Sequence, residues 1–92
     1  MSRFREHLNE KLKEKSFREA YNFQKQLSDL ALRIQKERNK KKISQTDLAS
    51  MAGITQQQIS KIENAINGNI MTYLKVLSAL NLEIKVTRLK SA

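Results

Sequence analysis

Three consecutive glutamines, Gln56, Gln57 and Gln58, carry the side chains of this sequence best suited to recognition chemistry. A glutamine carboxamide offers a donor and an acceptor side by side. It can therefore pair with adenine N6 and N7 on the floor of the DNA major groove. Thr55 precedes the three, Ser60 and Lys61 follow, and Asn64 ends the run. Ile59 and Ile62 are spaced so that a helix here turns both inward and leaves Gln56, Gln57, Gln58, Ser60 and Lys61 outside. Side chains near the start of such a helix reach base edges when the helix lies in the major groove. In isolation the glutamine run would read as a solvated face. Its setting decides otherwise.

That setting is Ser44 to Glu63, SQTDLASMAGITQQQISKIE, which reads as two short helices joined by a tight turn. Ser44 is a good N-cap, and the Asp47 carboxylate three residues on supports the first turn. Leu48, Ala49 and Ala52 repeat at helical spacing, and Gly53 can take the left-handed conformation that ends a helix. Ile54 plugs the turn and Thr55 caps the second helix. Two short helices around a glycine-containing turn form a helix-turn-helix. Gln45 opens the first helix, where its amide and the free backbone N–H groups favour a phosphate.

This stretch resembles the helix-turn-helix of the lambdoid phage repressors and of the large Xre-type regulator family. TQQQISKIENA is especially similar to the recognition helix of phage repressors that read operators with paired glutamines. The resemblance implies base contacts for Gln56 and Gln57, extending to Lys61, and phosphate contacts for Gln45 and Asn64. The whole DNA-facing set is Gln45, Thr55, Gln56, Gln57, Gln58, Ser60, Lys61 and Asn64. The resemblance also implies an ion pair between Arg38 and Glu63.

Ninety-two residues make one small domain with room for an appendage. A chain of this size buries only about 60–65% of its unfolded surface, so a partner would help it. With no Cys and a single His, His7, neither a disulfide nor a zinc site is expected. No Gly-rich phosphate loop or carboxylate pair in an apolar setting points to catalysis, so no enzyme, catalytic residue, metal or cofactor is expected. No apolar run approaches a membrane span, and MSRFREHLNE lacks a signal-peptide core, so the expected location is the cytoplasm. The net charge is +9. Residues 1–43 hold 13 Lys and Arg against 6 Asp and Glu, a net +7, and residues 44–92 hold 5 against 3, a net +2. Such an excess draws a protein to polyanions, nucleic acid first. The apolar stripes suit protein packing better than a bilayer.

The rest of the chain must hold this unit. Phe4, Leu8 and Leu12, four apart, make one thin apolar stripe on a charged helix over residues 2–15. So thin a stripe must dock on this chain, a second copy or another protein. Ser16 and Glu19 form a capping-box pattern that starts a second, longer helix reaching about Arg38. Leu27, Leu30, Ala31 and Ile34 should pack on the core, while Phe17, Tyr21 and Phe23 project from it. The basic run Arg38 to Lys42 suits a helix C-terminus and reads equally as a phosphate contact or a solvated linker. After a loop from Asn64 to Asn69, a last helix from Ile70 to Leu80 should turn Ile70, Tyr73, Leu74, Leu77 and Leu80 inward. Leu82 to Arg88 alternates apolar and polar, a strand signal. A lone strand needs an edge to pair with, either the same strand of a second subunit or another protein. In the first case Leu82, Ile84 and Val86 face the core, and two recognition helices sit about 34 Å apart.

Two further matches narrow the family. FREAY and LALRIQKERNKKKISQ, within Phe17 to Gln45, resemble the entry to the DNA-binding unit of HigA-type antitoxins, and NIMTYLKVLSALNLEIKV resembles the end of HipB-type antitoxins. The resemblance implies an antitoxin that neutralises a RelE/HigB-like, mRNA-cleaving toxin and represses its own operon. It implies a homodimer, a heterotetramer with the toxin, and toxin contacts at Phe4, Leu8, Leu12, Phe17 and Tyr21. RelE-like toxins are usually basic and so are residues 1–43, so such a complex would rest on apolar burial or on Glu6, Glu10, Glu14 and Glu19. The alternative is a stand-alone Xre-type or phage-repressor-like regulator. The expected fold is all-α: a five-helix lambda-repressor-like domain with a short C-terminal strand pairing in a dimer. Residues 1–24 are the partner-binding extension, 25–81 the DNA-binding domain and 82–92 the dimerisation tail.

Overall fold

The computed structural model describes residues 2–89, and side chains from Arg3 onward. Four helices follow in order: α1 (Ser2–Lys40), α2 (Gln45–Ala52), α3 (Gln56–Glu63) and α4 (Ile70–Ala79). The expected five helices become four because α1 runs unbroken through Ser16 for 39 residues. There is no Pro in the chain, and the first Gly is Gly53. The preceding Lys13, Glu14 and Lys15 are all strong helix formers. The Ser16–Glu19 capping box therefore has no free N–H groups to satisfy. Ser44 and Thr55 are real N-caps: each side chain accepts the N3 backbone N–H, and the N3 side chain accepts the cap N–H in return. The Ser44 backbone N–H and hydroxyl hold the Asp47 carboxyl below the usual carboxylate range.

All four helices end in the same way. The residue past the last turn is left-handed: Lys42 (φ 58°), Gly53 (φ 71°), Ala65 (φ 56°) and Asn81 (φ 61°). The next residue, Ile43, Ile54, Ile66 or Leu82, donates its N–H back five positions, to Arg38, Ala49, Lys61 or Leu77. This is the Schellman closure with an apolar residue behind it. Three of these four apolar residues, Ile43, Ile54 and Leu82, pack against the core. Ala65 carries a Cβ in a conformation that favours Gly. Ala65→Gly is expected to stabilise the headpiece by about 1 kcal/mol, or about 4–8 °C in Tm. Thermal unfolding followed by circular dichroism measures it, and a Tm that falls would mean the Ala methyl does something the backbone angle does not reveal.

The core holds Ile34 from α1, Leu48 and Ala49 from α2, Ile59 and Ile62 from α3, and Tyr73, Val76 and Leu77 from α4, with Leu80 just beyond. Leu27 and Leu30 pack on it half-buried. In α4 the inward stripe is Tyr73, Val76, Leu77 and Leu80; Ile70 (64%) and Leu74 (41%) are exposed, against expectation. Both sets fit a helical period, and the seat of α4 against α2 chose between them. The Tyr73 hydroxyl donates to the Ile66 carbonyl at 3.2 Å and pins the loop between α3 and α4.

No strand occurs among the described residues. From Leu82 to Leu89 the described chain makes no ladder; Leu82 packs on the core, but Ile84 is 45% and Val86 97% exposed. The expected core-facing, paired strand is thus overturned: alternation prepares a strand, but its backbone groups need a neighbouring edge and this fold offers none. Residues 90–92 of the expected tail lie outside the described residues.

The other departure is length. The molecule measures 60 × 29 × 20 Å, with a radius of gyration of 18.0 Å against about 12 Å for a compact chain of this size. From Arg3 to Gln26 every residue of α1 is exposed. A headpiece built on the second part of α1 therefore carries a helical arm of more than 30 Å, by about 1.5 Å per residue.

Candidate nucleic-acid interface

The recognition element is α3, and three contacts fix its pose. Arg38 on α1 grips Glu63 at its end with both arms of the guanidinium: Nε donates to Oε2 at 2.7 Å and Nη2 to Oε1 at 3.0 Å. The remaining arm, Nη1, donates to the Ile43 carbonyl at 3.0 Å in the loop before α2. One side chain thus ties α1, the loop and α3. The two side chains are only 13% and 2% exposed. The hydrogen bond to Glu63 raises the Arg38 pKa, burial opposes it, and the Glu63 charge adds to it. The ion pair expected from the resemblance is present, and bidentate.

Gln45 continues this network toward α3's other end. Its Nε2 donates to Glu63 Oε1 at 3.3 Å, and its Oε1 accepts from Gln56 Nε2 at 3.2 Å. Gln45 is half-buried at the α2–α3 junction, so its amide orients Gln56. Gln56 stands exposed at the first turn of α3 with its carbonyl oxygen unused. Gln57 beside it is exposed and makes no side-chain hydrogen bond among the described residues. It is the side chain most available for a base edge. Gln58 is different: its Oε1 accepts from the Thr55 N–H at 2.9 Å and the Thr55 hydroxyl at 3.3 Å. Thr55 and Gln58 therefore cap α3. Asn64 donates from Nδ2 to the Ser60 carbonyl at 2.8 Å, closing the C-terminal turn. Lys61 is exposed and Ser60 half-buried.

The structure sets these eight residues on and beside the outward side of α3 and splits them in the hydrogen bonds they make. Gln57, Gln56 and Lys61 offer free groups, while Thr55, Gln58 and Asn64 largely complete the helix. Sequence reasoning missed the capping box at Thr55 and Gln58, whose T-x-x-Q spacing was legible. It also missed the Gln45 link, for which no sequence signal exists. With Nε2 of Gln56 engaged, its free Oε1 can accept from adenine N6–H, and Gln57 can offer both groups.

The five arm residues do not form one patch. Leu8 and Phe17, like Leu12 and Tyr21, stand nine residues apart, about two and a half turns, and so lie on opposite sides of α1. Phe4, Leu8 and Leu12 make one ridge, exposed at 72%, 46% and 53%. Phe17 and Tyr21, exposed at 74% and 63%, share the other side with Glu10 and Glu14, at spacings of four, three and four. Leu82, Ile84 and Val86 do not gather into a surface.

Among the described residues no cluster of metal-binding side chains occurs, and no helix is long and apolar enough to cross a membrane. No curated protein matches the chain. A helix-turn-helix family model, HTH_3, matches residues 34–86, more than half of the sequence. The match spans the Arg38–Glu63 clamp, both capped helices and the glutamine face, and so the chain belongs to the helix-turn-helix (HTH_3) family and is a DNA-binding transcriptional regulator of the Xre type.

Proposed function

We propose that this regulator is a cytoplasmic, dimeric operator repressor that also serves as an antitoxin, its headpiece on DNA and its arm on a RelE/HigB-like, mRNA-cleaving toxin. The observation that carries the repressor reading is the pose of α3: an eight-residue helix clamped at its end by Arg38, with Gln57 free and Gln56 oriented at its start. Gln56, Gln57 and Lys61 read the operator, Gln45 and the α2 N-terminus take phosphates, and no catalysis is involved. The toxin reading rests on the arm. Exposed aromatic side chains on a helix with no intramolecular cover are a partner surface. The side carrying Glu10, Glu14, Phe17 and Tyr21 joins acidic to aromatic groups, which suits a basic toxin better than the ridge does. A stand-alone repressor accounts for the headpiece equally well, but leaves that side of the arm idle.

Co-expression with a small RelE-like protein encoded next to this chain separates the two. Full-length protein should restore growth and protect a site upstream of its own reading frame in a footprint. Replacing Phe17 and Tyr21 together with Ala should abolish growth rescue and leave the footprint unchanged. Rescue by the double variant would move the toxin off this face. A footprint with no toxin in the neighbourhood would leave the stand-alone repressor.

A further inference from the structure

We infer that the loop between α1 and α2 is a DNA-backbone anchor: Lys41 and Lys42, with Lys40 at the helix end, hold phosphates beside the groove that α3 enters and supply salt-dependent affinity. This deepens the operator reading above and rests on it. The starting point is a charge deficit. Ser44 to Glu63 holds one cation, Lys61, against Asp47 and Glu63, a net −1. Glutamine amides can specify bases, but they carry no charge and release no counterions. The unit that reads DNA must therefore draw its cations from its flanks. Of the two loops that bound it, Asn64 to Asn69 has none. The other opens on three in a row, Lys40, Lys41 and Lys42, each of them exposed.

The neighbouring carboxylates are engaged elsewhere. Glu37 pairs with Arg33 at 3.4 Å, Glu63 with Arg38 at 2.7 Å, and Asp47 accepts the Ser44 N–H at 3.1 Å. None of the three lysine side chains makes an ion pair among the described residues. The α1 dipole accounts for Lys40, in the last turn, but not for Lys41 and Lys42 beyond it. Three adjacent like charges repel, and Lys42 takes a left-handed backbone (φ 58°) that glycine holds with less strain. The loop is fixed all the same. The Lys42 N–H donates to the Asn39 carbonyl at 3.0 Å and the Ile43 N–H to the Arg38 carbonyl at 3.3 Å. Arg38 Nη1 donates to the Ile43 carbonyl at 3.0 Å. Lys42 lies three residues before Gln45, at most about 11 Å of backbone. Gln45 in turn holds Gln56 at 3.2 Å. The major groove is about 12 Å wide, so with Gln56 at its floor the phosphates that wall it come within reach of a long lysine side chain. Arg38 bonds both the recognition helix and the loop that carries the cations, so base reading and phosphate grip share one rigid mount.

The test is binding of the full chain to two duplexes, one from upstream of its own reading frame and one scrambled, across a range of salt. Lys41→Gln/Lys42→Asn removes two charges and keeps a residue that tolerates the left-handed stop. It should weaken both duplexes by the same factor, about tenfold or more at ~0.1 M salt, and lower the slope of log affinity against log salt by about 0.9 per phosphate lost. Lys11→Gln/Lys13→Gln removes the same charge from the arm, about 40 Å along α1 from the loop and well past the roughly 10 Å screening length at ~0.1 M salt. Its slope should match that of the native chain. Lys42→Gly separates grip from fold: it should raise the melting midpoint, since glycine takes the left-handed turn freely, and still weaken DNA binding. Unchanged affinity and slope in Lys41→Gln/Lys42→Asn would overturn the proposal and leave the loop a solvated linker. Equal slope losses from the loop and arm pairs would overturn it too, because the effect would then belong to net charge. A loss confined to the upstream duplex would make these lysines base readers instead. Should the native chain show no preference for the upstream duplex, the operator reading falls, and the slope on scrambled DNA still decides for or against the loop.

Discussion

Arg38→Ala should cost the headpiece about 3–5 kcal/mol, the largest loss expected of any single substitution in this protein. The reason is the carboxylate left behind. Glu63 is 2% exposed, so without the guanidinium it keeps a buried charge whose only remaining side-chain partner is Gln45 at 3.3 Å. The Ile43 carbonyl loses its donor as well. A folded chain holds about 0.05–0.15 kcal/mol per residue in reserve, so the headpiece would lose most of its margin. The melting midpoint should fall by more than about 12 °C. Arg33→Ala is the control. Arg33 also faces a carboxylate, Glu37 at 3.4 Å, but its side chain is 63% exposed, and the loss should stay under about 1 kcal/mol. Arg38→Lys should fall between the two, because one ammonium cannot grip both oxygens and the loop carbonyl together. Chemical denaturation of the three variants measures this. Equal small losses from Arg38→Ala and Arg33→Ala would show that packing alone seats α3.

Gln57→Ala should lower operator affinity by about 1–3 kcal/mol, roughly 5- to 150-fold, and leave affinity for random DNA almost unchanged. The loss should not depend on salt, because an amide carries no charge and releases no counterions. Lys61→Ala should do the reverse, weakening all DNA and flattening the salt dependence if the lysine meets a phosphate. Gln56→Ala should also cost about 1–3 kcal/mol of operator affinity. It removes the proposed base contact and at the same time releases Gln45 from its 3.2 Å bond. Gln58→Ala should instead destabilise α3 by about 1 kcal/mol through its cap. Binding to operator and scrambled duplexes at two salt concentrations separates these. Losses on both DNAs alike for Gln57→Ala would move it from base to backbone.

Much of this was legible because it is local. The two N-caps, the Gly53 stop and the inward Ile59 and Ile62 follow from a few neighbouring residues, and the structure has all of them. The break at Ser16 was misread for an equally local reason. A capping box competes only where the helix before it has ended, and nothing between Arg3 and Lys15 ends one. The other three helix ends were placed near Arg38, Glu63 and Leu80 without their left-handed residues Lys42, Ala65 and Asn81, which carry no glycine to mark them; the apolar residue after each was the readable sign.

By itself the sequence determined the helix-turn-helix, the outward glutamines and the surplus of unpacked apolar side chains in the first half of α1. Each depends on periodicity or capping within a dozen residues. Only the tertiary structure decided which glutamine is free. Gln56, Gln57 and Gln58 are the same residue in a row, and they differ because Gln45 arrives from α2 against one and Thr55 folds over another. Likewise, α4 could have buried either of two stripes, and contact with α2 selected the one containing Val76. The tail from Leu82 on had the alternation of a strand but no edge to join, because pairing is a property of two segments and the pattern belongs to one. Division of the arm's exposed residues into a ridge and an acidic-aromatic side became visible once α1 proved unbroken, since a continuous helix fixes the angle between Leu8 and Phe17 and two separate helices would not.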